Sequence, residues 1–383
     1  LYVEDLLDRR VRRLTDRPSD RILNGMSDWV YEEEFGLRDA FQWSPDGKQI
    51  AYWRFDTTGV QDFTLINNTD SIYPTTKTFA YPKAGTRNSD VRVAVVDLAT
   101  GNNTLIEMPG DPRDHYIPRM QWIDQTGELL VRQMNRLQNR ETLTLVSFDS
   151  ATKRIIHTEN DDAWIDLQDS IQFSADAESF LYLSDRDGWQ HLYRKNVSDD
   201  RISLLTPGSY DVVELLKVLP GKSDSETRVY FIASPDSATE RFLFSYDDGQ
   251  VSRITPQGLP GVHRYEISPC GRFAIHRFST AQQPTVTELV SLPDHNVLRV
   301  LESNEALVRE LDKLEPIPTH FFQIDLGETV LDAWRMNPPQ MEAGKNYPLL
   351  VHVYGEPAGS TVINRWGGKT ALWHRMLAER GYI

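Results

Sequence analysis

The apolar positions of this chain recur in short alternating runs, each closed by a tight-turn sequence. Trp43-Ser44-Pro45-Asp46-Gly47 leads into Ile50-Ala51-Tyr52-Trp53. Comparable apolar–turn–apolar patterns start at Trp122, Phe173 and Ile267, and a weaker one runs through Val218-Leu219-Pro220-Gly221. Pro at the first central position and Gly at the end favour a reversal between two strands. The five starts are separated by 79, 51, 45 and 49 residues. A second motif of strand, polar turn and strand lies out of phase with the first. It runs from Leu1 to Thr15, Val93 to Ile106, Leu143 to Thr158, His191 to Thr206, Phe242 to Thr255 and Glu288 to Leu301. Two independent motifs sharing a period of about 40 to 50 residues predict four-stranded units, the signature of a β-propeller. Six hairpins against five turn motifs leave the first unit with only its closing half.

Two departures from the period stand out. The long first interval holds an insertion from about Asp56 to Asp90, and Pro82 and Gly85 within Tyr81-Pro82-Lys83-Ala84-Gly85 fit a loop. Alternation also ends near Leu301. Ser303 there can cap a helix carrying Leu307, Leu311 and Leu314, which Pro316 and Pro318 stop. Strands are predicted over 321–326 and 330–336, and the apolar run Tyr347 to Tyr354 suits a buried central strand. Thr370 to Arg380 reads as a helix followed by the start of another apolar run, which is how an α/β domain opens. The division expected is a partial propeller over 1–302, then a linker helix and the beginning of an α/β domain over 303–383.

The densest chemistry lies in Asp28-Trp29-Val30-Tyr31-Glu32-Glu33-Glu34-Phe35, where three successive carboxylates sit among large apolar residues. A solvated acidic face has polar neighbours, whereas Trp29, Tyr31 and Phe35 seek burial. The pattern predicts a short turn or a single helical turn anchored by its aromatics, with Ser27 or Asp28 as N-cap and the acids early in the helix. Carboxylates presented into one space suit an amine, whose three donors they saturate with charge-assisted hydrogen bonds.

Charge changes the picture of partners. With 41 basic and 56 acidic residues the formal charge is −15, which argues against nucleic acid or an anionic membrane surface and for cationic ligands such as free peptide N-termini. No stretch approaches the ~18 apolar residues of a membrane span. Cys270 is the single cysteine, and His-x-His and His-Glu-x-x-His are absent, so neither a metal nor a cofactor is expected.

The run Trp29 to Phe35 resembles the double-glutamate motif of the dipeptidyl peptidase IV-like members of the prolyl oligopeptidase family. Tyr81-Pro82-Lys83-Ala84-Gly85, the Asp187-Gly188-Trp189 hairpin and Tyr354-Gly355-Glu356-Pro357 are similar to family segments, in the family's order. The resemblance covers nearly the whole chain. It implies an eight-bladed propeller, incomplete here, followed by the first part of an α/β-hydrolase domain. It further implies a serine exopeptidase that releases N-terminal dipeptides, typically after Pro or Ala, from peptides with a free N-terminus. Glu33 and Glu34 would hold the substrate amine while Glu32 points elsewhere, and Tyr354 would donate to the oxyanion. Glu356 and Ala358 depart from the family's loop. Family habit implies a homodimer and a periplasmic, secreted or membrane-anchored location outside the cytoplasm.

The Gly-x-Ser-x-Gly elbow that would carry the nucleophile does not occur. Gly221-Lys222-Ser223-Asp224-Ser225 lacks the second Gly, and the triad is expected downstream of Ile383. The chain by itself is therefore expected to be inert as a peptidase. A non-catalytic peptide-binding propeller is the alternative reading. An acylpeptide hydrolase or oligopeptidase is disfavoured by Glu33 and Glu34, because a blocked N-terminus offers them no ammonium.

Overall fold

The computed structural model describes residues 1–148, 150–169, 171–219, 221, 227–355 and 360–383. It is mainly β, and its sheets fall where the two sequence motifs place them. β1 (Tyr2–Glu4) and β2 (Val11–Arg13) form the leading hairpin. β3 (Ile22–Asn24), β4 (Phe41–Trp43) and β5 (Gln49–Asp56) follow, with helix α1 (Trp29–Phe35) between β3 and β4. β6 (Asp62–Asn67) and β7 (Thr75–Ala80) pair only with each other, whereas β8 (Asp90–Asp97) and β9 (Asn103–Ile106) complete the sheet β3-β5-β8-β9, to which β4 adds beside β5.

Four antiparallel meanders come next, each a blade of four strands in sequence order. The first is β10 (His115–Trp122), β11 (Leu129–Asn135), β12 (Arg140–Ser147) and β13 (Thr152–Asn160); the second is β14 (Gln172–Phe173), β15 (Ser179–Ser184), β16 (His191–Asn196) and β17 (Ile202–Leu204). The third is β18 (Val212–Leu219), β19 (Arg228–Ala233), β20 (Phe242–Asp247) and β21 (Gln250–Arg253); the fourth is β22 (Val262–Ile267), β23 (Phe273–Ser279), β24 (Val286–Ser291) and β25 (Val297–Glu302). Gly47, Gly127 and Gly271 close their turns with positive φ of 68°, 68° and 67°, the conformation those turns require of a glycine. The turn through Pro220 and the segment Lys222 to Glu226, with the Ser223 pentapeptide, lie outside the described residues.

Two compact units emerge: Leu1–Asp169 with Ala175–Phe180 and Asn196–Asp200, and Ser170–Ser174 with Leu181–Lys195 and Arg201–Ile383. In the first, Trp53, Phe55, Ile117, Leu129 and Val131 bury almost completely around Tyr31 and Phe35 of α1. In the second, one core gathers Leu192, Val229, Phe231 and Phe242, and another gathers Tyr230, Leu243, Ala274 and Val290.

The structure differs from the sequence reading in three places. The insertion is no mere loop, because β6 and β7 make a projecting arm with exposed Leu65, Ile66, Ile72 and Tyr73. Helix α2 (Glu305–Leu311) starts from Asn304 in the left-handed region (φ 54°) rather than from Ser303, and no side chain caps it. The third difference is the run expected to open the α/β-hydrolase sheet. Residues 347–354 form no strand, and Leu349, Val351 and Val353 are exposed. A buried parallel strand needs neighbours along both edges. Here the backbone supplies one bridge, with Leu350 N–H donating to Ile383 O (2.8 Å) and Ile383 N–H donating to Pro348 O (2.9 Å). That is the bonding of a parallel pair, and helix α3 (Gly368–Glu379) lies between its two halves in sequence. The hairpin of β26 (Thr319–Asp325) and β27 (Val330–Met336) forms as expected.

Candidate functional site

Helix α1 is held from three sides. Asp28 caps it, Oδ1 accepting from Tyr31 N–H (3.0 Å), and Oδ2 accepts the Ser89 hydroxyl (2.6 Å). Burial pushes the Asp28 carboxyl above its ordinary value, against the pull of these donors. Tyr31, 1% exposed, places its hydroxyl where it accepts Ile117 N–H at 2.7 Å. Its ring meets Phe35 and Phe55 edge-on. On the outer side Trp29 packs on Tyr81 at 4.0 Å between ring centroids, so Tyr81 lies against the helix. Gly36 ends it in the left-handed conformation (φ 61°), its N–H returning to Tyr31 O.

Tyr31 and Phe35 are i and i+4 and share the buried face, which leaves Glu32, Glu33 and Glu34 all exposed. The three acids do not act alike. Glu32, in the first turn, lies 3.9 Å from Arg38. Glu34 Oε1 accepts from the side-chain amide of Gln138 at 2.8 Å. Glu33 and Glu34 stand in the last turn, where no basic residue offsets them. The sequence suggested acids early in the helix. Two carboxylates at the negative end of the helix dipole instead face an unfavourable field worth about 0.3–1 kcal/mol each. A cation bound between them would relieve it. Successive residues on a helix are splayed by about 100°, so the pair approaches such a cation from two directions.

Gln138 and Ser89 escaped the sequence reading. Each lies far from α1 in sequence, and neither belongs to a local motif, so no signal marked them.

Tyr354 belongs to the second unit, exposed (57%) and lining a cleft of about 340 Å³ with Leu331, Trp334, Leu350, His374 and Ile383. The rest of its loop, Glu356 to Gly359, lies outside the described residues. His374 Nε2 is buried among described residues without a hydrogen-bond partner, and burial lowers the pKa of this histidine. Among the described residues no group of three His, Cys, Asp or Glu side chains is placed to hold a metal.

Repeated four-stranded meanders, preceded by a five-stranded sheet that carries an acid-bearing helix between two of its strands, define a β-propeller chain. Residues 1–285 match the family model described as the dipeptidyl peptidase IV (DPP IV) N-terminal region, and the chain belongs to that family. It is 31% identical over 374 residues to a probable dipeptidyl peptidase 4 of Arthroderma benhamiae, covering 93% of this chain and 47% of the relative. It is 30% identical to dipeptidyl peptidase 4 of Trichophyton rubrum, covering 93% and 48%. Among solved structures, dipeptidyl peptidase 4 of Porphyromonas gingivalis superimposes with a TM-score of 0.91 at 28% identity, over 100% of this chain and 53% of that one. The chain spans about half the length of the relatives it matches.

Proposed function

We propose that this chain is the amine-reading part of a serine exopeptidase that removes dipeptides from peptides with a free N-terminus, typically after Pro or Ala. The observation that carries the reading is the pair Glu33 and Glu34: exposed, splayed, and set at the wrong end of a rigidly anchored helix for their own charge. An N-terminal ammonium supplies the missing cation and fills its three donors from the two carboxylates. The relatives' printed activity, dipeptidyl peptidase, supports this choice of ligand. Holding the amine fixes the substrate's register, so that cleavage falls after the second residue. Tyr354 is the phenol that donates to the developing oxyanion, a neutral donor that strengthens as charge accumulates. The 383 residues contain no Gly-x-Ser-x-Gly, so this polypeptide alone binds without cleaving.

Calorimetric titration with Gly-Pro amide, free and N-acetylated, tests the reading. The free amine is expected to bind and the acetylated form not, with the difference lost in Glu33→Gln and Glu34→Gln. Equal binding of the two forms would remove the glutamates from amine recognition. Release of a chromophore from a Gly-Pro reporter by the purified chain would refute its inertness.

A further inference from the structure

We propose that Gln138 is a positioning residue for Glu34, a neutral clamp that aims one carboxylate at the substrate amine; this rests on the amine-recognition reading above. Gln138 lies in the turn between β11 and β12, 104 residues from the carboxylate it touches. Its backbone is pinned at both ends, the N–H donating to Asn135 O (3.0 Å) and the carbonyl accepting from Ile165 N–H (2.8 Å). Asn135 Oδ1 also accepts the N–H groups of Asn139 (3.2 Å) and Arg140 (3.0 Å), which closes the turn around it. Within that turn Gln138 adopts a φ of +53°. Glycine and asparagine take this conformation readily, whereas a long side chain pays for it in steric crowding. A strained residue that is also buried, at 8% exposure, points to a task for its side chain. The task visible here is the 2.8 Å donation from Nε2 to Glu34 Oε1.

The chemistry suits an ammonium site. A carboxylate has two oxygens and about four acceptor positions; occupying one on Oε1 fixes the rotamer and leaves Oε2 for a ligand. An arginine or lysine in this place would hold Glu34 as firmly, but it would set a positive charge beside the amine. The carboxamide orients the carboxylate and leaves its charge intact. Glu32, by contrast, lies toward Arg38, a cation that satisfies it locally.

The test compares affinities of the whole chain for Gly-Pro amide and N-acetyl-Gly-Pro amide by calorimetry, in wild type, Glu34→Gln, Gln138→Gly and Gln138→Asn. Glycine and asparagine both accept the left-handed backbone, and neither reaches Glu34. Loss of a hydrogen bond to a charged group predicts a fall of about tenfold in the preference for the free amine. Melting temperatures should be unchanged or raised. A purely structural role would weaken both ligands alike and leave their ratio at the wild-type value, and that result overturns the proposal. If Gln138→Gly fails to fold, the asparagine variant decides between the two outcomes. Should both Gln138 variants keep the preference while Glu34→Gln loses it, Gln138 is no positioning residue and the amine reading stands. Should the wild type show no preference, both fall together.

Discussion

Replacing Asp28 by alanine isolates what holds helix α1. Helix α1 has seven residues, far below the roughly 12–15 that sustain an isolated helix in water, so its anchors decide whether it stays folded. Alanine removes the N-cap acceptor of Tyr31 N–H, a loss of about 1 kcal/mol. It also strands the Ser89 hydroxyl, whose residue is 2% exposed, at a further 1–3 kcal/mol or so. The sum, roughly 2–4 kcal/mol, should appear as local opening of residues 29–37. Amide exchange followed by mass spectrometry at neutral pH should then quicken about thirtyfold or more, since each 1.4 kcal/mol is a factor of ten. Asparagine at the same position separates cap from charge. Because burial raises the Asp28 pKa, the folded protein holds this proton more tightly than the unfolded chain. The group's contribution is therefore largest below the ordinary 3.8 and is lost as pH climbs through the raised value. At pH 7 the ionised carboxylate is a cost that Asp28→Asn does not carry, so that variant should exchange no faster than wild type. Exchange in Asp28→Ala within threefold of wild type would refute the reasoning.

Other anchors give further expectations. Tyr31→Phe leaves Ile117 N–H buried without its acceptor, at a cost of roughly 1–3 kcal/mol, measurable by urea unfolding and by faster exchange of that one amide. The ion pair of Arg132 and Glu141 (2.7 Å) is almost fully buried; Arg132→Met should destabilise by about 3–5 kcal/mol in urea, and the double variant with Glu141→Leu should recover most of it. In the last blade His263 Nδ1 meets His276 Nε2 at 2.9 Å, with Tyr265, Phe278, His295 and Glu288 around them. Burial holds His263 down to about 4 and His276 to about 2, so the stability they confer is complete above pH 6.5 and is lost as pH falls below it. Burial raises Glu288, which opposes the loss only where that carboxyl takes up its proton, just above its ordinary 4.5. The melting temperature should therefore fall between pH 7.5 and 5.5, and less so in His276→Gln.

Much of this architecture is legible in the sequence, for local reasons. Blade turns announce themselves through residues such as Ser44-Pro45-Asp46-Gly47 and Ser268-Pro269-Cys270-Gly271, and the buried runs Leu129–Val131 and Val229–Ala233 declare strands by composition. The anchoring of Glu32 to Glu34 among Trp29, Tyr31 and Phe35 follows from helical spacing alone. The β6–β7 arm was hidden because both its faces are solvated, so Phe63, Leu65 and Thr78 show no burial pattern. Tyr347 to Tyr354 has a strand's composition but meets a single bridging residue, because a composition cannot supply neighbours. Gln138 was invisible for another reason: its task depends on a contact across 104 residues.

The blades from β10 to β25 are each laid down by strands that follow one another along the chain. Pairings between consecutive strands close short loops, and short loops cost little chain entropy. Each sheet can therefore assemble from its own stretch of polypeptide as that stretch leaves the ribosome, without waiting for distant sequence. Pulled from its two ends, the molecule should give way in a series of similar force steps, each releasing about one repeat of chain. Helix α1, inserted between two strands of the five-stranded sheet that precedes these blades, would be lost when that sheet gives way.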